Sequence, residues 1–107
     1  MKQKTEELPL TVERAVRAMC DDYDRRAAEI RRGKLSPTVL GHYILLNGKI
    51  DEAIASCCEA GICEEMRRDI GNGTGHRFTQ LYYLAPKTYK ARKRESKYAI
   101  ARALGLI

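Results

Sequence analysis

Apolar residues recur every three or four positions through the middle of this 107-residue chain. The series consists of Val39, Tyr43, Leu46, Ile50, Ala53, Ile54 and Cys57. A period near 3.6 residues places them on one face of an α-helix that packs against a core. Ser36-Pro37 predicts its start, because serine caps free amides and proline suits the first helical position. The phase continues across Asn47-Gly48, so one helix to Glu59 and two helices hinged there are both allowed, and we prefer one.

Shorter periodic segments predict helices on both sides of this one. The first helix is expected to start with Thr11 as its N-cap and to stop at Gly33. Gly61 is interpreted as a C-terminal cap, followed by a short helix that contains Met66. The glycine-rich stretch 71–75 predicts a loop, residues 78–84 a short helix, and Pro86 to Leu104 a last helix.

The sequence contains no alternating strand pattern and no internal repeat, so the expected fold is all-α, a small helical bundle. Its length suits one domain covering residues 1–107, with residues 1–10 as a flexible lead-in. No membrane-spanning run or apolar leader is present, which predicts a cytoplasmic protein without membrane contact. The four cysteines, Cys20, Cys57, Cys58 and Cys63, are expected to be reduced thiols.

Positive charge is concentrated at the end of the chain. Residues 77–107 carry eight Lys and Arg against one Glu, whereas residues 1–76 carry 12 against 13 acidic residues. Such an asymmetry indicates an anionic partner, most often nucleic acid.

A helical wheel sorts the last helix into two faces. The inward face would carry Tyr89, Ser96, Ile100, Ala103, Leu104 and Ile107, and a neighbouring basic arc Lys87, Lys90, Arg94 and Lys97. Arg92 and Lys93 lie beside the apolar stripe, from which their long stems can reach outward. Acidic partners at i,i+4 are missing, so ion pairing within the helix does not explain the run. Cations repeating along a helix suit the phosphate-lined major groove of DNA.

The C-terminal quarter resembles phage-type transcription regulators of the ArpU and RinA kind, which are similar to the sigma-factor region that carries a helix-turn-helix. The resemblance lies in Leu84-Ala85-Pro86-Lys87-Thr88-Tyr89-Lys90-Ala91-Arg92-Lys93-Arg94 and in the closure from Ala99 to Leu106. It implies a helix-turn-helix-like unit over residues 76–107, binding to double-stranded DNA, and RNA polymerase as a further partner.

The resemblance also implies which side chains contact DNA. Lys87, Thr88, Lys90, Ala91 and Arg94 would face the groove, with Arg77 and Lys97 on phosphates. Arg92 and Lys93 complete the set of predicted nucleic-acid-binding residues. The long N-terminal helices would form a homodimer, because two half-sites together gain affinity and specificity.

Other chemistries fit the sequence less well. No strand precedes the glycine-rich loop, as a nucleotide-binding fingerprint requires, and the cysteines lack zinc-binding spacing. A cysteine paired with His76 has no evident third residue to orient it, so we expect no enzyme, cofactor or metal. The tyrosines fit a core or its rim better than base stacking. The alternative function is an interaction or assembly module of mobile-element origin, whose basic helix docks an acidic protein surface.

Overall fold

The computed structural model describes residues 7–73 and 85–107, and these residues form five α-helices and one short 3₁₀ helix. The helices are α1 (Leu10–Asp21), α2 (Tyr23–Arg32), α3 (Pro37–Ala55), α4 (Cys63–Asn72) and α5 (Pro86–Ala103), with the 3₁₀ helix at Ala60–Ile62 between α3 and α4. No strand occurs within the described ranges. The predicted all-α fold is therefore confirmed. The predicted helix over residues 78–84 lies outside the described residues.

The first predicted helix is in fact two helices. It begins at Leu10 after an extended Pro9, so the prediction of Thr11 as the N-cap is wrong. It then breaks at Asp22, whose carboxylate accepts hydrogen bonds from two arginines, Arg25 and Arg26. Gly33 ends α2 with a φ of 72°, as predicted.

Arg26 gives the break a physical reason. Its side chain is buried, and Nη2 donates a 2.6 Å hydrogen bond to the carbonyl oxygen of Met19 in the last turn of α1. Terminal carbonyls of a helix need such partners. Nε of the same guanidinium donates to Oδ1 of Asn47 at 2.7 Å, which ties α2 to α3. The bend between α1 and α2 thus places the buried Arg26 guanidinium where it hydrogen-bonds to both Met19 and Asn47.

Helix α3 runs without interruption through Asn47-Gly48, which confirms the preferred interpretation. Ser36 caps it as predicted, with Oγ accepting from the amide of Val39. The helix ends at Ala55, four residues before the predicted Glu59, and the Ser56 hydroxyl donates to the carbonyl of Ala53 at 2.6 Å. The prediction of Gly61 as a cap is wrong, because Gly61 lies inside the 3₁₀ helix.

The predicted loop over 71–75 is wrong at its first two positions, because Gly71 and Asn72 form the last residues of α4. Gly73 ends that helix with a φ of 69°, and positions 74 and 75 lie outside the described residues. Gly71 has no room for a side chain, because α4 contacts α1 there. A Cβ at Gly71 would lie 2.8 Å from the backbone nitrogen of Asp21.

The core lies where α1, α3, α4 and α5 meet. Its buried apolar residues are Val16, Cys20, Ile50, Ala53, Ile54, Cys58, Ile62, Met66, Ile70, Tyr89, Ile100 and Ala101. Leu8 packs against this core just ahead of α1. The residues between Arg26 and Asn47 include no buried side chain, so α2 and the first half of α3 form a hairpin that extends beyond the core.

The four cysteines are free thiols, as predicted. Cys20 and Cys58 are buried, and burial raises the pKa of Cys20 to about 12. None of the described helices combines the length and the apolar character needed to cross a bilayer.

Candidate nucleic-acid interface

Helix α5 carries the candidate interface, and its inward face fixes its orientation. Tyr89, Ser96 and Ile100 are buried as the wheel predicts, and Ala101 is buried beside them. Ile107 is exposed, which contradicts its predicted place on the inward face. The wheel fails there because α5 ends at Ala103 and the chain turns at Gly105, whose φ is 73°.

A buried carboxylate on α4 anchors α5. Asp69 is 1% exposed and accepts a hydrogen bond from the hydroxyl of Tyr89. The ammonium of Lys93 lies 3.0 Å from the same carboxylate. An ionised group at this depth needs such partners to offset its desolvation. Lys93, predicted to bind nucleic acid, thus has a partner inside the fold.

Two more of the predicted cations pair with acidic residues on other elements. Nζ of Lys97 lies 2.7 Å from Oε1 of Glu13 on α1, and Arg92 lies 3.3 Å from Glu59. The hydrogen bond from Lys97 holds the pKa of Glu13 below its ordinary value. The small stabilisation from this pair is therefore present at neutral pH and is lost as the pH falls through that lowered pKa. The acidic partners of Lys97 and Arg92 therefore lie outside α5, on α1 and in the segment after α3.

The remaining predicted residues face solvent at the start of α5. Lys87, Thr88, Lys90 and Arg94 are exposed, and Ala91 is half-buried. No ion pair found among residues 7–73 and 85–107 includes Lys87, Lys90 or Arg94. Arg77 lies outside the described residues. The exposed cations span eight residues, and the first and last lie about 10 Å apart along the helix.

A cleft lies between this row of cations and the beginning of α1. The cleft has a volume of about 210 Å³ and is lined by Glu7, Leu8, Glu13, Lys90, Lys93, Arg94 and Lys97. A second cleft of about 170 Å³ shares Glu13, Lys93 and Lys97 and is also lined by Arg17. Arg17 extends the row of cations onto α1. Sequence reasoning missed it, because its charged neighbours made that face resemble an ordinary solvated surface.

A larger cleft, of about 820 Å³, lies elsewhere and is lined by residues of both charge signs. Most of its charged residues have a partner within the cleft. Arg67 stacks on the ring of Tyr23 at 3.8 Å and lies 3.3 Å from Asp24, and the Tyr23 hydroxyl donates to Asp51 at 2.9 Å. Within the described part of the chain, no three His, Cys, Asp or Glu side chains are grouped as metal ligands. The excess of cations is therefore a feature of α5 and not of this cleft.

Comparison with protein-family models, curated proteins and solved structures finds no match to this chain. Its function must accordingly be inferred from the chemistry of its own surface, and α5 has the largest excess of basic residues among the described helices.

Proposed function

We propose that this protein binds double-stranded DNA through the first three turns of α5, without catalysis. The observation that carries the proposal is the exposure of Lys87, Lys90 and Arg94 along one helix, with no ion pair to other described residues. Three solvent-exposed cations spaced along about 10 Å of helix are suited to neutralising the charges of a phosphate backbone. Regulation of transcription, with RNA polymerase as a partner, is the part of the proposal that rests on the family resemblance alone.

The position of these cations within the helix supports an anionic partner. The N-terminus of a helix carries partial positive charge, so basic side chains in its first turns are unfavourable there. Helix α5 has no acidic residue in its first turn and no side-chain cap, and Lys87 and Lys90 add to its positive charge. A phosphate at this end of α5 would offset both the lysine charges and the partial positive charge of the helix N-terminus.

We propose a smaller set of DNA-contacting residues than the sequence alone indicates. Arg92 and Lys93 pair with Glu59 and the buried Asp69, so their charges are partly neutralised within the fold. Lys87, Lys90 and Arg94 remain as the exposed contact row, whereas Thr88 is exposed on another side of the helix. An α-helix fits the major groove, where Arg94 could also hydrogen-bond to a guanine edge.

Charge reversal at Arg94 tests the proposal. We expect Arg94→Glu to weaken binding to a random-sequence duplex by roughly tenfold or more, and to reduce the slope of log affinity against log salt by about 1. Fluorescence anisotropy across a salt series measures both quantities. Arg102→Glu is the matched control, because it makes the same charge change at an exposed arginine in the last turn of α5, outside the proposed interface.

Three outcomes would overturn the proposal. One is no binding at low salt, and another is binding that does not depend on salt. The third is an equal loss of affinity in the two variants, which would mean that only net charge matters. Circular dichroism should show the same helical signal for both variants, so that any difference reports on the interface.

Glu13 sets how much Lys97 contributes to the interface. Because Glu13 holds the Lys97 ammonium at 2.7 Å, it competes with any phosphate for that cation. We expect Glu13→Gln to strengthen duplex binding about two- to fivefold at low salt and to increase the salt slope by up to about 1. The same anisotropy titration measures this change. Unchanged affinity and slope would show that Lys97 lies outside the interface.

A further inference from the structure

The hairpin formed by α2 and α3 presents a surface that DNA binding does not use. From Ser36 to Gly48 the sequence contains no Asp, Glu, Lys or Arg. Two large apolar side chains of this stretch lie in solvent, Ile44 at 52% exposure and Leu45 at 55%. Exposed apolar side chains next to each other in an uncharged region are typical of a contact surface.

Six residues of α3 share one face of the helix, five of them exposed and one, Gly48, half-buried. At 100° per residue, Thr38, Gly41, Ile44, Leu45, Gly48 and Glu52 lie on its outer side. On the opposite side, Asn47, Ile50 and Ile54 are buried against the rest of the protein. The outer face of α3 is therefore apolar at its centre and ends in the exposed Glu52.

The two glycines of this face have no role in internal packing. A Cβ at Gly41 or at Gly48 would meet nothing within 4 Å. Glycine inside a helix is less stable than alanine, so these positions weaken the isolated helix without improving its fit to the core. Placed on either side of Leu45, they leave room for another helix to approach closely, because the distance between packed helices depends on side-chain size.

The charges at the two ends of this face indicate the partner. Arg31, Arg32 and Lys34 lie at the tip of the hairpin, and the exposed Asp51 and Glu52 lie towards the other end of α3, with the half-buried Lys49 beside them. If two copies pair antiparallel about a point between Ile44 and Leu45, Gly41 of one copy faces Gly48 of the other. The basic tip of each copy then lies beside the acidic end of its partner, whereas a parallel pair would bring like charges together.

We propose that the outer face of α3 binds a second copy of this chain in an antiparallel helix pair, with Leu45 at its centre. The pair is symmetric, so each residue contact occurs twice. The proposal is independent of DNA binding, and its tests contain no nucleic acid, so either proposal can fail alone.

Oligomeric state gives the first test. We expect sedimentation velocity to show a dimer at tens of micromolar and Leu45→Glu to raise the dissociation constant at least tenfold, because a charge would then lie at the centre of the interface. Leu10→Glu is the control, since Leu10 is also exposed but lies on α1, and it should remain dimeric. A monomeric wild-type chain, or equal behaviour of the two variants, would overturn the proposal.

The glycines and the end charges test the arrangement itself. Gly41→Ala with Gly48→Ala should raise the thermal stability of the monomer and yet weaken the dimer about tenfold or more. Lys34→Glu and Glu52→Lys should each weaken self-association, while an equimolar mixture of the two should form a heterodimer as tight as the wild-type dimer. A mixture that associates no better than either variant alone would exclude the antiparallel pair.

Discussion

Replacing Asp69 with alanine should lower the free energy of unfolding by about 3 to 5 kcal/mol. The Asp69 side chain has no exposed surface, and its carboxylate accepts from the Tyr89 hydroxyl and pairs with Lys93 at 3.0 Å. Truncation would take this acceptor from the Tyr89 phenol, which is itself 1% exposed, and would remove the charge with which Lys93 pairs. The loss of a buried, charge-paired acceptor counts against the folded state.

Urea denaturation followed by circular dichroism measures this loss. Asp21→Ala is the matched control, because Asp21 is exposed and should change the unfolding free energy by less than about 0.5 kcal/mol. Asp69→Asn should fall between the two, since an amide oxygen can still accept from Tyr89 but carries no charge for Lys93. Equal denaturation midpoints for Asp69→Ala and Asp21→Ala would show that the carboxylate does not stabilise the α4–α5 contact.

We expect Gly71→Ala to destabilise the protein by about 1 to 3 kcal/mol, although alanine is the better helix former. A Cβ at Gly71 would lie 2.8 Å from the backbone nitrogen of Asp21 and 2.9 Å from its Cα. Backbone atoms cannot turn aside as a flexible side chain can, so α1 and α4 would have to separate. The 3.3 Å hydrogen bond from Nε of Arg17 to the Gly71 carbonyl would be strained by the same movement.

The control for this substitution is Gly61→Ala, because a Cβ at Gly61 meets nothing within 4 Å. Gly61 has no positive φ, so alanine fits its backbone. Thermal denaturation should therefore show a lower midpoint for Gly71→Ala and an unchanged or slightly higher one for Gly61→Ala. A Gly71→Ala protein as stable as wild type would mean that the two helices do not pack this closely.

Features of the fold that depend on neighbouring residues could be predicted from the sequence. Ser36-Pro37 and Pro86 mark helix starts through their own backbone preferences, and Gly33 marks an end through its positive φ. The break at Asp22 could not be predicted, because the apolar spacing continues across it. It depends on Arg26 reaching both Met19 and Asn47, and the second of these contacts spans 21 residues.

At the candidate interface, too, features set by neighbouring residues could be predicted and contacts between distant residues could not. The wheel identified the inward face of α5 at Tyr89, Ser96 and Ile100, because that face follows from local periodicity. It could not show which cations have partners. Lys97 pairs with Glu13 across 84 residues and Arg92 with Glu59 across 33, and no local pattern encodes either contact. The excess of positive charge thus identified α5 as the candidate helix. Only the tertiary structure shows which of its cations are exposed and which are paired.

The packing of α1 against α4 and α5 has a consequence for how the chain folds. Val16 of α1 is fully buried in the core shared with Met66 and Ile100, both of which come at least fifty residues later. The first helix therefore cannot bury its apolar face until the last helices have formed. The chain between α1 and the last helices must first close into a loop. The conformational entropy lost in this closure is offset only after α1 has packed against the core. We expect folding to be slower than in a bundle of sequential neighbours, with its barrier set by the docking of α1.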